Sequence, residues 1–133
     1  MQAEYLMAEA ESIKEGQYVA VNCGLNWKDH DYFLLQVVNT VHQLTGAQTD
    51  DHGVLHEAGG QVVRGNYLEW VAEGSDEYRV DVTKMCIVYT HLIIHHPVKV
   101  LHRLNSKGTP VLCVSNREHA RIMAKLPNTY LAD

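Results

Sequence analysis

Between Pro97 and Leu126 the apolar positions change period twice. Val98, Leu101 and Leu104 recur at helical spacing behind Pro97, a residue suited to a first helical turn, and Lys107-Gly108 reads as a cationic last turn with a left-handed stop. Pro110 to Val114 is then a short apolar run of strand type. Ser115 or Asn116 can cap a following helix, where Ala120, Met123, Ala124 and Leu126 form a stripe between Arg117, Glu118, Arg121 and Lys125.

The rest of the chain divides similarly. Gln2 to Glu15, rich in Ala, Glu, Met and Leu, predicts a helix ended by Gly16, and Gln17 to Val21 predicts a strand. Asn22, Cys23 and Gly24 make a turn. From Asp29 a second helix is expected through Phe33, Leu34, Val37, Val38, Val41 and Leu44, whose steps of three and four give a broad apolar face. Gly53 to Glu57 reads as a short strand. In Gly60 to Gly74, Val63, Tyr67, Trp70 and Val71 share a helical face, whereas the alternation needed for a strand is poor, so a helix is preferred. Tyr78 to Val82 alternates as a half-buried strand does, and Met85 to Tyr89 is continuously apolar. These two form either a hairpin around Thr83 and Lys84 or one long strand, with a helix from Thr83 to His96 as the competing reading.

At Gly16, Gly46, Gly74 and Gly108 a helical pattern stops at glycine and a strand-like run follows within a few residues. Because parallel strands need crossover connections, this alternation predicts an α/β fold: a single compact domain over residues 1–133, with a mostly parallel sheet flanked by helices. The alternative is an α+β fold in which Val62 to Val100 is an antiparallel meander packed by three helices.

Composition narrows the function classes. The 133 residues suit one domain, and a net charge of -5 argues against general nucleic-acid binding. No apolar run approaches the roughly 18 residues of a membrane span and the N-terminus lacks a secretion signal, so a cytoplasmic protein without membrane contact is expected. Cys23, Cys86 and Cys113 lack paired spacing and read as buried thiols. Nine histidines are the compositional oddity.

On a parallel sheet, ligands lie at the carboxyl ends of the strands, near helix N-termini. That edge would gather His30, His56, His91, His95, His96 and His119, leaving His42, His52 and His102 elsewhere. The run from Tyr18 to Asp29, the helix after it, and Gly59-Gly60 opening a helix that contains Gly65 together resemble the nucleotide-binding SLOG superfamily of Rossmann-like folds. The resemblance covers about the first half of the chain. It implies a small-residue turn after the first strand and a glycine pair approaching a phosphate. The superfamily's later glycine-rich motif, with its Gly-Thr and glutamate, is missing, and Thr90 to His96 stands in its place.

The residues predicted to bind a ligand are therefore Gly24, Trp27, Gly59, Gly60, Arg64, Ser115, Asn116 and Arg117, with His91 and His95 available for acid–base catalysis. Each has a structural alternative. A glycine pair makes a tight turn, Ser115 caps a helix, Arg117 with Arg121 forms a solvated face, and the histidines bond backbone carbonyls at the core's edge. His52 and His56, four apart, would chelate a metal only on a helix, which nearby glycines oppose. Two function classes follow. The first is a Rossmann-like module for a nucleotide or other small phosphorylated ligand, with room for hydrolysis. The second is a non-catalytic protein-binding or inhibitory module acting through a surface as a homo-oligomer. A histidine-bound metal hydrolase is a weaker third, and no cofactor is named by the sequence.

Overall fold

The computed structural model describes residues 12–22, 32–71 and 76–126. In chain order these contain β1 (Tyr18–Asn22), β2 (Tyr32–Gln43), β3 (Gln48–Thr49), β4 (Leu55–His56), β5 (Gln61–Trp70) and β6 (Glu77–Tyr89). A 3-10 turn (Thr90–Leu92), β7 (Ile93–His95), β8 (Leu101–Leu104), β9 (Pro110–Cys113) and helix α1 (Asn116–Met123) complete them. Seven strands form one sheet in the order β7-β1-β2-β5-β6-β9-β8, and β3–β4 is a separate ribbon. Every pairing is antiparallel.

Side-chain alternation explains why both faces of this sheet are buried. Register pairs Val19 with Leu35 and Val21 with Phe33, which places them on one face with Val37, Val63 and Val88. The intervening positions Ala20, Leu34 and Leu68 pair across the same strands and project to the other face. Ile13 and Ile93 pack on the first face. Val98, Leu112, Val114 and Ile122 of α1 pack on the second.

This architecture corrects the α/β expectation. The sheet is antiparallel, and α1 is the one α-helix among the described residues, so neither the parallel sheet flanked by helices nor the three-helix α+β alternative describes the molecule. The helix expected from Asp29 to Leu44 is β2 over its described part. A strand buried on both faces needs no polar alternation, so its apolar residues fall at steps of three and four by accident, while Tyr32, Phe33, Val37, Val38, Thr40 and Val41 carry strand propensity. The helix expected from Gly60 to Gly74 is β5 over most of its described part. Val62 and Val63 are both buried because the sheet is covered on both faces, so the polar alternation that marks a half-exposed strand is missing. The helix expected behind Pro97 is irregular chain followed by β8, joined to β9 by a turn in which Asn105 Oδ1 accepts from Lys107 N and Thr109 N, both at 2.9 Å. Tyr78 to Tyr89 lies within one long strand. The helix expected at the N-terminus lies outside the described residues except for 12–15, which are not helical.

Strands at Tyr18, Leu55 and Pro110 occur where expected, as does α1 with Ser115 as its cap, the hydroxyl accepting from Glu118 N at 3.1 Å. Gly65 allows β5 to lie against β2: a Cβ there would sit 2.3 Å from Gln36 O and 2.8 Å from Leu35 Cγ. Among the described residues no helix is long and apolar enough to cross a membrane.

Candidate functional site

Beyond Tyr78, the outer edge of β6 leaves β9, which pairs with β6 only at Glu77 and Tyr78. The β3–β4 ribbon meets that edge through two consecutive aspartates. Met85 N donates to Asp51 Oδ2 at 2.8 Å, Asp51 N donates to Met85 O at 3.1 Å, and Ile87 N donates to Asp50 Oδ2 at 3.2 Å. Two carboxylates thus accept from an edge that would otherwise present open amides.

Asp50 also shapes the turn of the ribbon. Its Oδ1 accepts from His52 N at 3.0 Å and Val54 N at 3.1 Å, and Gly53 takes the positive φ of 82° that the turn requires. His56 Nε2 donates to Asp50 Oδ2 at 3.1 Å, and the Asp50 side chain is only 4% exposed. Burial pushes this carboxyl up, but the amides of Ile87, Val54 and His52 and the His56 imidazole outweigh it and hold the carboxyl below its ordinary value. With Nε2 as donor, His56 Nδ1 is left as a buried acceptor without a hydrogen-bond partner among the described residues.

Between this ribbon and the first face of the sheet lies a cavity of about 340 Å³. Phe33 from β2 and Tyr67 from β5 stand with ring centroids 5.8 Å apart, and His52 meets Tyr67 edge-on at 6.5 Å. On the other side His56 packs on Tyr89 at 5.4 Å. Tyr89 is fixed in turn by its hydroxyl, which accepts from Glu57 N at 3.0 Å and donates to Glu57 O at 3.3 Å. Cys86 brings a thiol to the wall. Burial first, then the carboxylates of Asp50, Asp81 and Asp51, push its pKa up to about 11, so it is not a thiolate at neutral pH.

The residues singled out by sequence are not brought together here. Gly24 and Trp27 lie outside the described residues. Gly59 N donates to Leu44 O at 2.7 Å and Gly60 O accepts from Leu44 N at 2.9 Å, so the glycine pair closes the base of the loop that carries the ribbon. Gly60 also makes room for Tyr89, whose ring would lie 2.8 Å from an added Cβ. Arg64 Nε donates to His42 Nε2 at 3.2 Å, and its Nη2 reaches Gln48. Ser115 caps α1 and Arg117 is exposed. Asn116 lines a second cavity of about 270 Å³ with Tyr32, Trp70 and His119. His91 stacks on Tyr89 with centroids 5.6 Å apart.

His95 serves a separate buried cluster. Lys125 Nζ donates to its Nδ1 at 2.7 Å, so Nε2 carries the proton and donates to Glu118 Oε2 at 3.1 Å. The same oxygen accepts from Lys99 N at 2.7 Å. Burial raises the Glu118 carboxyl, but the Lys99 amide, His95 and Arg121 together hold it below its ordinary value. The cluster binds α1 to the sheet's second face.

Phe33, Tyr67 and Tyr89 were not candidates in the sequence, because each lies in an apolar run that reads as core. One legible signal was Asp50-Asp51-His52-Gly53, which has the composition of a turn closed by an aspartate side chain. Among the described residues no group of three or more His, Cys, Asp or Glu side chains is placed to hold a metal ion. Comparison with protein-family models, curated proteins and solved structures finds no match.

Proposed function

We propose that this chain is a non-catalytic recognition module that holds one side chain of a partner protein in the cavity under the β3–β4 ribbon. One observation carries the reading: the cavity is walled by rings and aliphatic groups, while the Asp50 carboxylate beside it already accepts four hydrogen bonds from the protein itself. A site of this kind binds by shape and apolar contact. Its volume suits one large side chain. Val54 and Leu55, 51% and 64% exposed on the ribbon, offer an apolar shoulder to the flanking backbone.

Chemistry has less support. The Asp50–His56 pair has the form of a base with its orienting carboxylate, yet among the described residues no hydroxyl or thiol bonds to His56 Nδ1. Cys86 is kept protonated by its surroundings. The nucleotide reading needs converging amides and an arginine, whereas Gly59 N is bonded to Leu44 O and Arg64 is turned to His42 and Gln48.

Peptide display against the protein, with counter-selection on a Tyr67→Leu variant, tests the proposal. Enriched peptides sharing one anchor residue, whose binding falls at least about tenfold in the variant, are the expected result. Enrichment indifferent to Tyr67, or no enrichment, would sink it.

A further inference from the structure

We infer that the exposed flank of α1 is a second contact surface, which takes an extended acidic segment of a partner protein. It lies on the face of the sheet opposite the cavity and is independent of the reading given for that cavity. Arg117 and Arg121 stand one turn apart on α1, and Lys125 continues the row just beyond its end. Arg117 and Lys125 are exposed, and the Arg121 side chain is 44% exposed. Lys99, also exposed, joins them from the chain leading into β8, where its amide donates to Glu118 Oε2 at 2.7 Å.

The charge of this flank is opposite to that of the whole molecule. The chain carries a net charge of -5, and arginines elsewhere are met by carboxylates: Arg79 by Glu69 at 2.9 Å, and Arg103 by Asp76 at 3.3 Å and Glu77 at 3.0 Å. Among the described residues, the one carboxylate within ion-pair distance of the four cations is Glu118, whose side chain is 2% exposed and 3.6 Å from Arg121. That single charge already accepts from His95 and from Lys99 N. Lys125 rests on a neutral acceptor, His95 Nδ1, at 2.7 Å, so its charge is not compensated there. The buried Glu118–His95 pair thus steadies Arg121 and Lys125 from below while both stay open to solvent. Cations held in place in this way lose less freedom when a partner binds.

Spacing selects the form of the partner. Four residues advance a helix by about 6 Å, and alternate residues of an extended chain lie roughly 6.5–7 Å apart. Carboxylates at every second position therefore meet Arg117, Arg121 and Lys125 in step. Ala120 and Ala124, exposed beside the arginines, leave room for the partner's backbone. Each exposed ion pair is weak alone, so recognition depends on the row acting together. A nucleic acid is disfavoured because the net negative charge of the chain repels a polyanion that extends past the patch.

The test is an amide NMR titration of the full chain with three end-blocked pentapeptides: Glu-Thr-Glu-Thr-Glu, its uncharged counterpart Gln-Thr-Gln-Thr-Gln, and the isomer Glu-Glu-Glu-Thr-Thr. The alternating acidic peptide should shift Ala120, Arg121 and Ala124 and leave Cys86, Ile87 and Val88 in place. It should bind at least about tenfold tighter than the glutamine peptide and about threefold tighter than the isomer. Arg117→Glu, at an exposed position, should weaken it at least about fivefold while the other amide resonances persist, and roughly 0.5 M salt should weaken it similarly. Equal binding of the glutamine peptide, or no shift of α1 by any peptide, would overturn the inference. Equal binding of the isomer would overturn the extended register. Inorganic phosphate shifting the same amides as strongly would assign the row to a free anion and overturn the protein partner. Retention on phosphatidylserine vesicles or on oligothymidylate without a response to the acidic peptide would do the same for a lipid surface or a nucleic acid. Self-association that Arg117→Glu abolishes would give the face to a second copy of this chain and overturn the inference as well.

Discussion

The two faces of the sheet are covered by the same chemistry with opposite results. On one, Glu118 of α1 is buried, accepts from a histidine and a backbone amide, and brings Ile122 down onto Leu34 and Leu68. On the other, Asp50 is buried, accepts from a histidine and three backbone amides, and holds a ribbon whose aromatic neighbours leave a cavity. A helix presents a continuous apolar stripe and packs it against the surface beneath, although a cavity of about 270 Å³ remains beside Asn116 and His119 at its first turn. A two-stranded ribbon of two residues per strand has no such stripe. It is fixed along the edge of β6 by polar bonds, so the sheet beneath its turn is walled without being filled.

Removing each anchor is the strongest way to break this comparison. Asp50→Ala and Glu118→Ala should each destabilise by roughly 3–5 kcal/mol, since each leaves buried donors without an acceptor. Denaturant titration measures the loss. Amide exchange should separate the two: Asp50→Ala should expose Met85 and Ile87 first, and Glu118→Ala should expose Lys99 and α1 first. The same amides opening in both variants would mean that the covers are not independent.

The cysteines sharpen the contrast by chemistry. Cys86 faces the cavity with a pKa pushed up to about 11, and Cys113 is 2% exposed in β9. Site-resolved alkylation near pH 8 should modify native Cys86 on the order of 10²-fold more slowly than an ordinary thiol, and Cys113 only through unfolding. Asp50→Ala should accelerate Cys86 and leave Cys113 unchanged under native conditions. Fast modification of Cys86 in the unaltered protein would show that burial does not hold its thiol protonated.

Both anchoring carboxyls are depressed in the folded state, so the unfolded chain binds protons more readily as pH falls. Their contribution is complete above the ordinary values of 3.8 and 4.5 and is lost as pH falls through the lower folded values. Stability measured by denaturant should therefore decline on acidification in this range, and the decline should be shallower in Asp50→Asn and in Glu118→Gln. An unchanged slope in both variants would show that other carboxylates govern the acid response.

What the sequence disclosed follows this division. The region from Pro110 to Met123 was readable because its strand is short and bounded and its helix has a cap, a stripe and a polar face that agree with one another. The sheet's centre was not. Buried on both faces, β2 and the first part of β5 lack the polar alternation that marks a half-exposed strand. Glycine stops were then counted after helices that are strands, and the parallel-sheet inference inherited the error. The candidate site was hidden for a related reason. Phe33 and Tyr67 look like core residues in the chain and become a corner only when β2 pairs with β5, while Asp50 looks like a loop residue and becomes buried only when the ribbon meets β6.

The smallest of these effects tests whether the sealed face depends on α1 as a unit. Ser115→Ala removes the acceptor for Glu118 N, a capping loss of about 1 kcal/mol. Because that amide belongs to the same residue whose carboxylate receives His95 and Lys99 N, fraying the first turn should also loosen the buried cluster. The expected result is a modest fall in denaturation midpoint, faster exchange at Lys99, and no change in peptide binding at the cavity. Altered binding at the cavity would show that the two faces communicate through the sheet, and the separation of a sealing cover from a walled one would have to be abandoned.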